Sequence, residues 1–175
     1  MDRIARPLLL AALALTLVAG GFAVWAGWSW YDAAHSGTAS YATARDDALA
    51  AGEQAVQNLN TLDHKDLGDG LDLWESSTTG ALNGQLVDGR PAFEKQVREA
   101  RTVSTAKVLD GALTELDERA GKARVLVALR VTVTAADGES SQKDSRMLGE
   151  LTRADGHWKL SALGQAPVGD TASGG

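Results

Sequence analysis

The stretch Ala123-Arg-Val-Leu-Val-Ala-Leu-Arg-Val-Thr-Val-Thr134 decides the fold. Val125, Val127, Leu129, Val131 and Val133 occupy alternate positions, with Arg124, Arg130, Thr132 and Thr134 among the residues between them. A period of two over so long a run is a strand with one face buried and one face wet. That pattern belongs to an antiparallel sheet covered on one side. Turn signals bracket it: Glu118 to Gly121 before, and Asp137-Gly138 after.

Working outward, the C-terminal side gives two more strands. Residues 146–153 put Met147 and Leu151 on one face, and Asp155-Gly156 marks another hairpin. His157-Trp-Lys-Leu-Ser-Ala-Leu163 follows, with Trp158, Leu160 and Ala162 expected to face together. On the N-terminal side, Val103-Ser-Thr-Ala-Lys-Val-Leu109 is the first of four strands; it continues towards Leu116 if Gly111 marks a bulge.

Before Val103 the period is helical. Ala48, Leu49, Gly52, Ala55, Val56 and Leu59 share one face of a helix that begins near Tyr41. Asp63 is placed to cap a second helix carrying Leu67, Leu71 and Trp74, with Gly68 and Gly70 weakening it. Gly84 interrupts a short turn around Leu82 and Leu86. Asp88-Gly89 reads as a turn, and Pro91 as the first residue of a helix with Phe93, Val97 and Ala100 along its face. About three helices followed by four hairpin-linked strands is an α+β architecture, with the sheet curling into a cone.

Residues 7–31 contain no charged side chain and end in Trp25, Trp28, Trp30 and Tyr31. As a helix they would extend about 37 Å, longer than the ~30 Å hydrocarbon core of a bilayer. Arg3 and Arg6 precede the run and no Lys or Arg follows until Arg45, so the expected topology has residues 1–6 in the cytoplasm. A signal peptide would have a shorter apolar core and a small-residue cleavage site. The expected division is therefore a cytoplasmic N-terminus (1–6), a transmembrane helix (7–31), a tether (32–40), an extracytoplasmic domain (41–167) and a disordered tail (168–175). Ala19, Ala23 and Gly27 recur every four residues and could let a partner helix approach, although an Ala- and Gly-rich anchor produces such spacings by chance.

Composition narrows the function. The chain has 175 residues and a net charge of −6; from Asp32 onward, 15 Lys/Arg face 22 Asp/Glu, a net −7. Such a domain offers no basic footprint for nucleic acid and no polybasic hold on anionic lipid. There is no Cys, and His35, His64 and His157 have no ligand spacing, so no metal or cofactor is expected. Asp63, Asp66, Asp69 and Asp72 recur every three residues, which on a helix drifts around the axis. A solvated acidic face is their plain reading. The valine face of the central strand offers no acid or base, so no enzyme activity is expected. Trp74, Phe93 and Trp158 are the candidate liners of a cavity inside the cone, where a lipid or other small ligand could bind; aromatics of this kind are more often plain core.

The order of these pieces resembles a membrane-anchored member of the NTF2-like superfamily, whose closing strand is matched by Arg153-Ala-Asp-Gly-His-Trp-Lys-Leu-Ser-Ala-Leu163. More closely, Arg45-Asp-Asp-Ala-Leu49, Thr61-Leu-Asp63, Val103 to Leu109 and Ala123-Arg-Val-Leu-Val127 resemble the Mce-associated membrane proteins of high-GC Gram-positive bacteria. That resemblance implies a non-enzymatic accessory protein at the cell membrane, partnered with the subunits of an Mce-type lipid or sterol importer. The same architecture, one membrane helix and an NTF2-like domain, also serves as a scaffold in secretion and conjugation assemblies. That is the alternative reading.

Overall fold

The computed structural model describes the backbone of residues 2–167 and the side chains of 21–31 and 40–167. It divides into two compact units, residues 1–43 and 44–175. The expected tail, 168–175, lies outside the described residues.

The described elements are α1 (Asp2–Leu59), β1 (Leu62–Asp63), α2 (Leu67–Ser76), α3 (Gly80–Ala100), β2 (Val103–Asp117), β3 (Lys122–Thr134), β4 (Ser140–Ala154) and β5 (His157–Gln165). The five strands form one antiparallel sheet in sequence order, β1-β2-β3-β4-β5. The fourfold strand count expected from the sequence thus becomes five. Leu62 and Asp63 add a two-residue edge beside Ser104 and Val103.

In the first unit the backbone is helical through 32–40, where a tether was expected. Ala33, Ala34 and Ala39 favour the helix, no proline interrupts it, and a lone Gly37 costs only ~1 kcal/mol against Ala. The expected membrane span, 7–31, has its side chains over 7–20 outside the described residues. Among the described residues no helix is long and apolar enough to cross a membrane.

In the second unit, the alternation of β3 predicts the core. Ala123, Val125, Val127 and Leu129 are buried, while Arg124 and Arg130 face solvent. Ala48, Ala55 and Val56 of α1 lie against this face, joined by Leu151 of β4 and Leu160 of β5. Burying each such Leu or Val side chain contributes about 1.5–3 kcal/mol. Two glycines permit the close approach. A Cβ on Gly52 would sit 2.8 Å from Val125 Cγ2, and one on Gly149 would sit 2.9 Å from Leu160 Cδ1.

Three further expectations are corrected. Asp63 does not cap α2: it lies in β1, its Oδ1 accepts from the Lys65 N–H, and α2 starts only after Asp66. The cause is Leu62, which is buried in a second apolar cluster with Leu67, Leu71 and Val97 and so holds the preceding chain extended. Asp88-Gly89 makes no turn and Pro91 starts no helix; both lie inside the continuous α3. The third concerns β5. Leu151 pairs with Leu160 and Glu150 with Ala162, so Ser161 is an extra residue. Beyond this bulge the faces exchange: Leu163 packs on the core and Ala162 is exposed. The irregularities of β2 fall between Val108 and Asp110 and between Leu113 and Glu115, on either side of Gly111.

Candidate functional site

The concave face of the sheet is filled. Val56, Val125, Val127, Leu129, Leu151 and Leu160 are each at most 0% exposed and occupy the space beneath α1. Two open spaces of the second unit lie around the α2–α3 pair, the larger of them reaching the end of α1, β1 and the start of β2, and another of about 500 Å³ lies against Leu109, Ala128 and Lys143.

Trp74 on α2 and Phe93 on α3 form a wall there, ring centroids 5.4 Å apart and tilted by 38°. The Trp74 indole N–H donates to the Thr61 carbonyl at 3.2 Å, which fixes the ring. On one side of the wall is a cavity of about 340 Å³, lined also by Leu59, Leu62 and Val97 and by the polar Asn60, Gln96, Thr102 and Ser104. On the other side is a smaller cleft of about 230 Å³ between Leu71, Leu86 and Gly89. Trp74 and Phe93 therefore line cavities together. Trp158 lines neither; it packs on the main core, with the Arg153 guanidinium 6.0 Å from its ring centroid.

Charge at this place is concentrated in one residue that the sequence reading passed over. Arg90 reaches from α3 to Asp72 at 2.6 Å, Glu75 at 2.9 Å and Glu94 at 2.9 Å. The hydrogen bonds it donates, to Glu94 first, then to Asp72 and Glu75, push its pKa above the ordinary guanidinium value. The network joins α2 to α3 at the mouth of the smaller cleft and leaves an excess of carboxylate there. Only the i, i+4 spacing of Arg90 and Glu94 was visible in the sequence; the α2 carboxylates are brought in by the fold. The four aspartates at 63, 66, 69 and 72 do not converge, and among the described residues no cluster of acids and histidines could hold a metal ion.

Of the expected helix-partner face, Ala19 lies outside the residues whose side chains are described. Ala23 and Gly27 are exposed on α1, and a Cβ on Gly27 would meet nothing within 4 Å.

No curated protein matches the chain. Among solved structures, an IcmL-like type IV secretion system protein from Legionella pneumophila subsp. pneumophila str. Philadelphia 1 is similar at a TM-score of 0.57 and 12% identity, over 71% of this chain and 93% of that one. The periplasmic domain of DotI gives 0.56 and 17%, over 69% and 93%, and a periplasmic fragment of TraM gives 0.53 and 12%, over 67% and 93%. At these identities the likeness is one of fold. A family model, the SnoaL-like domain, matches residues 47–164. This bears out the superfamily-level resemblance and does not reach the Mce-associated family. Running from the last turns of α1 through α2, α3 and the strands to Gly164 in β5, that match identifies the chain as a member of the SnoaL-like domain family, with an NTF2-like α+β fold.

Proposed function

We propose that this chain is a non-enzymatic, membrane-anchored scaffold whose SnoaL-like domain works outside the cytoplasm as a subunit of a multiprotein assembly of the secretion or conjugation kind. One observation carries the reading. A protein named for a type IV secretion system and two periplasmic pieces, of DotI and of TraM, are each matched over 93% of their solved chains by this fold. The buried core adds support: among the described residues it holds no ionisable side chain that could act as an acid or base.

The first unit supports the anchor. Phe22, Val24, Trp25, Trp28, Trp30 and Tyr31 are 63–80% exposed. At about 100° per residue these side chains point to every side of the helix. A protein partner would cover one stripe, whereas lipid surrounds a helix completely. Residues 1–6 then lie in the cytoplasm and the second unit outside. The Mce reading keeps the same architecture with importer subunits as partners. The fold likeness supports a secretion-type assembly better.

Isolation of the tagged full-length protein from its own membrane in mild detergent, with mass spectrometry of what accompanies it, tests the proposal. Components of a secretion or conjugation machine are expected. Mce subunits would restore the importer reading, and a protein without companions would overturn the scaffold.

A further inference from the structure

We infer that the free edge of β4, residues 140–146, is a docking site for an extended acidic segment of a partner protein, which adds to the sheet as a further strand. The inference deepens the scaffold reading and rests on it: it names the surface that holds a partner and the kind of segment held there.

Three features converge on this edge. The first is open backbone. β4 pairs with β3 from Ser140 to Thr152 but with β5 only from Met147 onward. Past that point a single bond remains on this side, from the Ala166 N–H to the Arg146 carbonyl at 2.9 Å. In an antiparallel ladder alternate residues turn their N–H and C=O groups to the same side. Those of Asp144, Gln142 and Ser140 therefore face away from β3, and no described strand takes them. The edge is also straight. No register shift interrupts its pairing with β3, whereas β2, towards the other side of the sheet, carries two. Bulges blunt an edge, and this one has none.

The second feature is charge. From Asp32 onward the chain carries a net −7, yet this segment is cationic. Arg130 and Asp144 neutralise each other through two bonds. Lys143 and Arg146 are exposed and, among the described residues, make no ion pair. Their acidic neighbours Asp137 and Glu139 precede Ser140. A second copy of the edge would bring the same two cations against these, and like charges across a strand pair are destabilising. A strand bearing carboxylates is attracted instead, while Lys143 turns away strands that lack them. The third feature is space. The cavity of about 500 Å³ is lined by Leu109 and Ala128, by Lys143 and Arg146, and by Gln165 and Ala166 at the end of β5. A strand laid along β4 there presents alternate side chains to the two faces of the sheet. An apolar one has Leu109 and Ala128 to rest on, and an acidic one has Lys143 or Arg146 to meet.

The probe is the acetylated and amidated peptide Thr-Glu-Val-Glu-Val-Glu-Thr, with a counterpart carrying Lys for Glu. Each is titrated against full-length protein in nanodiscs of zwitterionic lipid, with binding read by calorimetry and by hydrogen exchange. The acidic peptide is expected to bind saturably, at least tenfold more tightly than its counterpart, and to slow exchange across 140–146 at least threefold. Lys143→Glu together with Arg146→Glu should reverse the preference between the peptides. Gln142→Pro removes an N–H that faces the open edge and not β3, so it should abolish binding while the Tm stays near wild type. If that variant fails to fold, the charge reversal decides. No saturable binding, equal binding of the two peptides, or slowed exchange only outside 140–146 would overturn the site. So would exchange that is slow across 140–146 without peptide and quickens on deletion of 168–175, or on dilution, since the occupant would then be this chain's own segment or a second copy. The assay contains no component of any assembly. Its failure removes the docking edge and leaves the scaffold reading to the detergent isolation above.

Discussion

At the scale of single residues, the account rests on where a side chain is absent or misplaced. Gly149 faces Leu160 and Val125 at distances that leave no room for a methyl group. Gly149→Ala should destabilise the domain by about 1–3 kcal/mol, measured by urea unfolding, because the packed core can yield only by displacing side chains. An unchanged midpoint would mean that α1 does not press on the sheet as described. Arg101 ends α3 at φ 51°, a left-handed conformation that glycine adopts without penalty. Arg101→Gly should therefore stabilise by roughly 0.5–1 kcal/mol in the same assay. The φ of Arg101 was not legible in the sequence, which contains no glycine near 101 to announce a helix stop. The buried face of β3 was legible, because alternation is a property of the strand alone. Ala162 and Leu163 were exchanged in the reading because a bulge depends on the pairing with β4, and a single strand carries no sign of it.

At the scale of elements, proline and charge pairing are decisive. Pro91 lies inside α3 and cannot donate to the carbonyl one turn before it. Reading it as a helix start was reasonable from its neighbours Asp88 and Gly89. The helix runs on because Phe93 and Val97 are anchored in the second cluster and Arg90 ties it to α2. Pro91→Ala should raise stability by about 1–3 kcal/mol, and a loss would show that the proline sets a bend the packing needs. On the outer face of the sheet, Arg130 holds Asp144 through two bonds of 2.7 and 2.8 Å. The hydrogen bond from Arg130 lowers the Asp144 pKa below the usual carboxylate value. A lowered folded-state pKa contributes stability that is complete above the unfolded-state value, ~3.9, and is lost as pH falls through the folded-state one. Asp144→Asn should accordingly flatten the acid limb of the stability curve, most visibly below pH 4 and less so in high salt. A wild-type acid limb in this variant would remove the pair from the account.

At the scale of the whole molecule, composition and the order of elements carried most of the reading. Helices before strands, turns rich in Asp-Gly and one valine-rich strand were enough for an α+β domain with an antiparallel sheet. The cavity beside Trp74 was legible only as a pair of aromatics, since its polar lining comes from the turn after α1, from α3 and from the chain around the start of β2, which are far apart in the sequence. Trp158 looked equivalent to them and is not, because β5 carries it onto the main core. The likeness to the IcmL-like secretion system protein and to the periplasmic pieces of DotI and TraM sits at this scale too, in the path of the chain and not in any one residue.

The central claim, an extracytoplasmic scaffold in a larger assembly, is tested most directly by cross-linking intact cells with an amine-reactive reagent that cannot cross the membrane. Lys95, Lys107 and Lys143 are exposed in the second unit. The account predicts that all three react in intact cells and that some are joined to other envelope proteins. Reaction only after the cells are opened would contradict the topology, and reaction without any link to another protein would contradict the scaffold.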